Sequence, residues 1–326
     1  MTIRVSCAQI WPRLGDKEYN LQKMEQYIQQ TMTEYPDTQL IVFPELATSG
    51  YEGTVEQFQA LAETTEDGES ICRIGTLAAK YGIYIVYGFP ERDMIHTDIL
   101  YNSAVLIDKD GKPMGTYRKV HPFASEKTWC RAGCEFPVFD TDLGRLGIMI
   151  CWDTAFPEVA RIYGLKGADL LIVSTNWEDP YEEEWDPSEI NSHEEDWDLI
   201  TKARAYDNTL HLVAANRVGD DGKTLSFFGR SKVIGPTGRE IAALDTREEG
   251  ILSAEIDLSL TEKNVFSTTP SSRTEYRTLM TRSLKSISHC MIILQLSMQN
   301  HILLLYPRVR FPWDRAFFCI SIFLLS

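Results

Sequence analysis

Three observations predict an α/β fold. Apolar runs of strand length alternate with amphipathic stretches through the first half of the chain. Gly, Pro, Asp and Asn punctuate them, and 44% hydrophobic residues in 326 supply a sizeable core. Ile3 to Ile10 reads as a strand, the stretch around Tyr19 to Met32 as a helix, and Leu40 to Phe43 as a short buried strand. A helix around Ile71 to Lys80 and a strand from Ile83 to Gly88 continue the rhythm. Asn102 to Ile107, the turn Asp108-Lys109-Asp110-Gly111 and an extended run to Val120 form a predicted hairpin. The apolar run Leu146 to Ile150 ends at Cys151, and Pro157 suits the first turn of a helix. Leu170 to Thr175 is the next core strand. A meander closes the body: His211 to Asn216, a turn at Asp220-Asp221-Gly222, Ser231 to Ile234, the turn Gly235-Pro236-Thr237-Gly238, and strands at Glu240 to Ala243 and Ile251 to Ile256.

Charge narrows the ligand classes. A net charge of -15 repels nucleic acid and anionic lipid surfaces, which leaves small molecules as the expected ligands. Met1-Thr2-Ile3-Arg4-Val5-Ser6-Cys7 enters a strand at once and has neither the apolar run nor the cleavage site of a secretory signal, so a cytoplasmic location is expected. Seven cysteines at irregular spacing fit reduced thiols better than a disulfide framework. Cys130 and Cys134 find no second pair or nearby His to complete a zinc site, and no metal is expected.

Residues 1–276 read as one domain. The tail, 277–326, differs in composition: from Arg277 to Ser326 basic residues face the single acid Asp314, and apolar clusters such as Ile302-Leu303-Leu304-Leu305 appear. Its apolar stretches are too short or too interrupted for a transmembrane helix, which needs about 20 apolar residues. The tail reads as a segment not shaped to pack, such as the product of a shifted reading frame, with an oligomer-interface arm as the alternative.

Three strand ends carry chemistry. In Leu40-Ile41-Val42-Phe43-Pro44-Glu45, Pro44 ends ladder pairing and leaves a carboxylate at the strand's C-terminal edge. Tyr117-Arg118-Lys119 does the same for a cation, and Ile150-Cys151-Trp152-Asp153 for a thiol. In α/β architectures reactive groups gather at such edges. Phe156-Pro157-Glu158 opens a helix whose dipole is expected to favour thiolate at Cys151. Taken singly, each residue has an ordinary explanation as solvated loop, surface charge or core.

Together these segments, with Ala214-Ala215-Asn216-Arg217-Val218-Gly219, Gly229-Arg230-Ser231 and Gly235-Pro236-Thr237-Gly238, resemble the nitrilase superfamily of carbon-nitrogen hydrolases, over more than three quarters of the chain. The resemblance implies a four-layer α-β-β-α sandwich, a homodimer or higher homo-oligomer built by packing α-layers together, and no metal or organic cofactor. It also implies that Glu126 is the second glutamate that orients the lysine and substrate.

Amide hydrolysis needs a strong nucleophile, charge stabilisation at oxygen, and a proton for the departing nitrogen. Cys151 is the expected nucleophile and Glu45 the expected base and acid. Lys119 and the backbone N–H of Trp152 are the expected oxyanion stabilisers. His121 as base for Cys151 is the competing arrangement, which leaves Glu45 without a role. Asn176 and Trp177, just past the next core strand, are candidate substrate-binding residues. Trp177 to Asp198 is strongly acidic and contains Trp185 and Trp197; it reads as a loop over the pocket mouth that rejects anions, or as a solvated excursion.

The expected substrate is a small linear amide, then an N-carbamoyl amine, then a nitrile. Cys-Trp-Asp departs from both the Cys-Tyr-Asp of amidase branches and the Cys-Trp-Glu of true nitrilases. An inactive oligomeric scaffold is the non-enzymatic alternative.

Overall fold

Alternate burial decides how the first strands pack. The computed structural model describes residues 1–179, 192–220 and 225–263, all within one unit, Met1–Thr278. The tail 277–326 and residues 180–191 of the acidic run, Trp185 among them, lie outside the described residues. The first half contains β1 (Thr2–Gln9), α1 (Lys17–Glu34), β2 (Thr38–Val42), α2 (Val55–Leu61), α3 (Glu69–Tyr81), β3 (Tyr84–Arg92), β4 (Leu100–Ile107) and β5 (Pro113–Arg118). The second contains β6 (Val138–Thr141), β7 (Gly144–Ile150), α4 (Pro157–Lys166), β8 (Leu170–Thr175), α5 (His193–Asn208), β9 (His211–Asn216), β10 (Val218–Asp220), β11 (Ser226–Phe228), β12 (Lys232–Ile234), β13 (Glu240–Ala243), β14 (Gly250–Asp257) and α6 (Leu260–Lys263).

Two 6-stranded sheets result, in the orders β14-β1-β2-β3-β4-β5 and β13-β12-β9-β8-β7-β6, with β10 and β11 pairing separately. Each sheet has a parallel centre, β1-β2-β3 in one and β7-β8-β9 in the other, flanked by antiparallel strands. On β2 and β3, Leu40, Val42, Tyr84 and Val86 face Ile148, Ile150, Leu170 and Ile172 of the second sheet across a shared core. The intervening Ile41, Phe43, Ile85 and Tyr87 face Leu21, Met24 and Ile28 of α1 and Ile71, Ile74 and Ala78 of α3. Both faces are therefore buried, which is why these strands read as continuous apolar runs. Val159, Ala160 and Tyr163 of α4 and Trp197 and Ala205 of α5 join the core on the second sheet. The layering is helix, sheet, sheet, helix, as the resemblance implies.

Local chemistry sets the helix limits. Asp16 caps α1 by accepting the Tyr19 N–H at 3.1 Å, and Gly82, at φ 65°, ends α3. Pro157 opens α4 as the sequence suggests. Six elements escape the sequence reading: α2, β6, α5, β10, β11 and α6. The α5 case is a correction to the pocket-mouth loop, because its last residues, from His193, are a helix capped by a reciprocal Ser192–Glu195 box. Glu194, Glu195 and Asp196 sit in the first turn, where the backbone dipole favours negative charge. Trp197, on the same turn, is fully buried.

Candidate active site

Glu45 leaves β2 through a turn pinned on several sides. The Phe43 N–H donates to the Val86 carbonyl at 2.8 Å, the Gly88 N–H to the Pro44 carbonyl at 3.2 Å, and the Ser174 hydroxyl to the Phe43 carbonyl at 3.0 Å. A Cβ on Gly88 would lie 2.6 Å from the Glu45 Cα, so only glycine lets β3 approach this closely. Lys119 follows β5, with its N–H donating to the Asn102 carbonyl at 2.8 Å. Glu126 lies in a 3-10 turn, Ala124–Thr128.

These elements bring the charges together. Lys119 Nζ lies 2.7 Å from Glu45 Oε1 and 2.7 Å from Glu126 Oε1, and all three side chains are buried. Asn102 Nδ2 donates to Glu45 Oε1 at 2.8 Å and to Glu126 Oε2 at 3.3 Å. The Tyr51 hydroxyl donates to Glu126 Oε1 at 2.9 Å, and the Asn176 N–H to Glu45 Oε2 at 3.1 Å. Asn102 and Tyr51 are site residues that the sequence reading missed. Each is an ordinary polar residue in its local sequence, and only the folded contacts single it out.

Burial dominates the electrostatics. It pushes the Glu45 carboxyl up to about 7, with Lys119 pulling down and Glu126 pushing up. Burial also opposes charge on Lys119, yet Glu126 and Glu45 outweigh it and hold the ammonium well above the ordinary lysine range. Lys119 is thus protonated throughout the physiological range.

Cys151 is the first residue of a 3-10 turn, Cys151–Ala155, directly after β7, and its φ of 42° places it in the left-handed region. Burial works against the expected resting thiolate. Burial and the charge of Glu45 hold the thiol well above its ordinary pKa, against the pull of Lys119. The helix whose dipole was expected to help, α4, begins only at Pro157, beyond the intervening turn.

The turn has its own supports. Asp153 Oδ2 accepts the Ile150 N–H at 3.1 Å and the Tyr117 hydroxyl at 2.8 Å. Asp153 Oδ1 accepts the His121 N–H at 3.0 Å and lies 2.8 Å from His121 Nδ1, while the His121 ring stacks on Phe156 at 3.9 Å. His121 is therefore engaged with Asp153 and Phe156, and the competing Cys–His arrangement finds no support. From α5, Arg204 donates to the carbonyls of Thr154 at 2.9 Å and Ala155 at 3.2 Å.

Trp152, Trp177 and Trp197 form a chain of rings with centroids 6.0 and 5.3 Å apart, extended by Phe123 at 5.0 Å from Trp152. The Trp177 N–H donates to Asn216 Oδ1 at 2.8 Å, which fixes the segment after β8. The Asn176 side chain is buried, and neither its oxygen nor its nitrogen has a hydrogen-bond partner among the described residues. Cys130 is buried and Cys134 exposed; among the described residues no cluster of three or more His, Cys, Asp or Glu is placed to hold a metal, and no helix is long and apolar enough to cross a membrane.

Known proteins resemble the chain in sequence and in fold. The family model described as carbon-nitrogen hydrolase matches residues 4–263. A probable nitrilase of Schizosaccharomyces pombe is 51% identical over 258 residues, covering 79% of this chain and 90% of its own. The crystal structure of a carbon-nitrogen hydrolase from Helicobacter pylori superposes with a TM-score of 0.72 at 32% identity, covering 80% of this chain and 90% of that one. An amidase from Nesterenkonia, a glutamate-to-glutamine mutant with the acetamide moiety of fluoroacetamide added covalently at its active-site cysteine, superposes at 0.64 with 25% identity, covering 82% of this chain and 94% of that one.

Proposed function

The chain belongs to the carbon-nitrogen hydrolase family, and from its site we propose that it hydrolyses a small linear amide, releasing ammonia through a thioester on Cys151. The observation that carries this reading is the buried ammonium of Lys119 held between Glu45 and Glu126, with a buried Cys151 whose thiol pKa burial raises. A thiol that rests protonated needs its proton removed as it attacks. A carboxylate near pKa 7 is matched to taking that proton and giving it back.

The sulfur attacks the amide carbon while Glu45 accepts the thiol proton. Negative charge moves to the carbonyl oxygen, where Lys119 and the Trp152 N–H stabilise it. Glu126 orients the lysine. Glu45 then protonates the leaving nitrogen, the C–N bond breaks and ammonia departs. Water, deprotonated by Glu45, attacks the thioester; the C–S bond breaks and the sulfur recovers the proton. Asn176, with neither polar atom partnered among the described residues, and Trp177, within the aromatic chain, are the proposed substrate contacts. The covalent adduct on the cysteine of the related Nesterenkonia amidase supports the role of Cys151.

An N-carbamoyl amine is the second reading, favoured by one observation: Glu178 directly follows Trp177, so a carboxylate stands on the segment proposed to contact the substrate. The assembled Glu45, Lys119, Glu126 and Cys151 disfavour the inactive scaffold. Ammonia release from aliphatic amides, N-carbamoyl amines and nitriles tests the proposal. Primary aliphatic amides are expected to be the best substrates; nitriles as the best substrates, or no ammonia from any class, would overturn it.

A further inference from the structure

We propose that Asn102 is the positioning residue of this site: its carboxamide bridges the two glutamates and so divides the oxygens of Glu45 into a fixed one and a working one. The inference rests on Glu45 being the base. Asn102 lies on β4, between β3 and β5, and is fully buried. Its nitrogen donates to Glu45 Oε1 at 2.8 Å and to Glu126 Oε2 at 3.3 Å, and its carbonyl accepts the Lys119 N–H at 2.8 Å. One residue therefore holds the carboxylates through its side chain and the main chain of Lys119 through its backbone carbonyl. The amide orientation is dictated by its surroundings, since a carbonyl turned toward two carboxylates would meet only acceptors.

The consequence for Glu45 is asymmetric. Oε1 accepts both Lys119 Nζ, at 2.7 Å, and Asn102 Nδ2, while Oε2 accepts the Asn176 N–H at 3.1 Å. A carboxylate oxygen has about two lone-pair positions, so Oε1 is filled and Oε2 keeps one. Oε2 is the oxygen available to the thiol proton. A second consequence concerns charge. Two carboxylates sharing a buried site repel, and the repulsion favours protonating one of them. An amide that donates one hydrogen to each stabilises both in ionised form without adding a charge. Lys119 alone shares its hydrogens between Glu45 Oε1 and Glu126 Oε1 and leaves Glu126 Oε2 to Asn102. Among the described residues, the groups that interact with Glu45 are Lys119 after β5, Glu126 and Cys130 from the following segment, Tyr51, and Cys151 after β7. Of these, Lys119 is the only cation, and the Asn102 hydrogen bond acts with it to keep Glu45 ionised.

The test reads proton removal from Cys151 without needing the natural substrate. The rate of Cys151 alkylation by iodoacetamide is measured by mass spectrometry as a function of pH, with the exposed Cys72 and Cys134 as internal references. The wild-type rate is expected to rise through the titration of Glu45. Asn102→Ala should move that rise upward by about one pH unit, the worth of one hydrogen bond to a charged group, with the reference thiols unchanged. Asn102→Ser, which keeps one donor, should move it less, and serves if the alanine variant does not fold. An unmoved rise in either folded variant, with Glu45→Gln abolishing it, would overturn the role of Asn102 and leave the base intact. A Glu45→Gln variant that keeps the rise would instead overturn the reading of Glu45 as base.

Discussion

Replacing Lys119 by methionine keeps the length of the side chain and deletes its charge. The ammonium is buried and lies 2.7 Å from an oxygen of each glutamate. Removing one partner of a buried ion pair costs about 3–5 kcal/mol, because the charge left behind has neither water nor a counter-ion. Here two carboxylates are stranded, and proton uptake relieves them. Glu45 already stands at about 7 with Lys119 pulling it down, so losing the lysine lifts it further. A carboxyl whose folded pKa exceeds its unfolded value, about 4.3, holds its proton more tightly when folded. That contribution is complete below the unfolded value and lost as pH rises through the folded one. The stability deficit of Lys119→Met should therefore be small at pH 5 and approach about 3–5 kcal/mol at pH 8.5. Urea unfolding of variant and wild type at the two pH values measures it. Turnover should fall at least about a hundredfold with the loss of an oxyanion stabiliser. Equal deficits at pH 5 and pH 8.5 would refute the reasoning, since stranded carboxylates must titrate.

Three further outcomes are expected. Glu45→Gln should abolish turnover, whereas His121→Ala, which removes a ring partner of Asp153 and Phe156, should lower it about tenfold or less; steady-state ammonia release separates the two, and the reverse order would restore the Cys–His arrangement. His211 is buried, neither ring nitrogen has a partner among the described residues, and burial lowers its pKa to about 4. A buried neutral histidine confers stability that is complete above its unfolded pKa, about 6.5, and is lost as pH falls toward the folded value, so it accounts for about 3 kcal/mol of acid destabilisation. His211→Leu should flatten the urea-midpoint profile between pH 7 and pH 4. Gly88→Ala drives a methyl against the backbone of Glu45 and Leu46, and is expected to reduce turnover more than stability, read by comparing initial rates with thermal midpoints.

Much of the molecule is legible from local pattern. The apolar runs at Leu40 to Phe43 and Leu170 to Thr175 announce buried strands because both of their faces are covered. Glu45, Lys119 and Cys151 each end a strand, and strand ends of this kind are where such sites form. The start of α5 was written in Ser192 and Glu195, but the density of acids after Trp177 reads as a solvated run until the capping box is noticed. The protonation of Cys151 could not be read at all. Proximity to a helix pointed toward thiolate, while burial and a carboxylate from a distant strand decide for thiol.

The chain by itself determines the alternation of strands and helices, the turn chemistry that ends them, and the order in which carboxylate, ammonium and thiol occur, because these depend on residues a few positions apart. Tertiary structure alone decides that Asn102 reaches Glu45 across 57 residues, that Asp153 engages His121, and that the site is dry enough to raise a carboxyl and a thiol together. Hydrogen bonding and desolvation act through space, and only the packing of one sheet on another fixes which groups share that space.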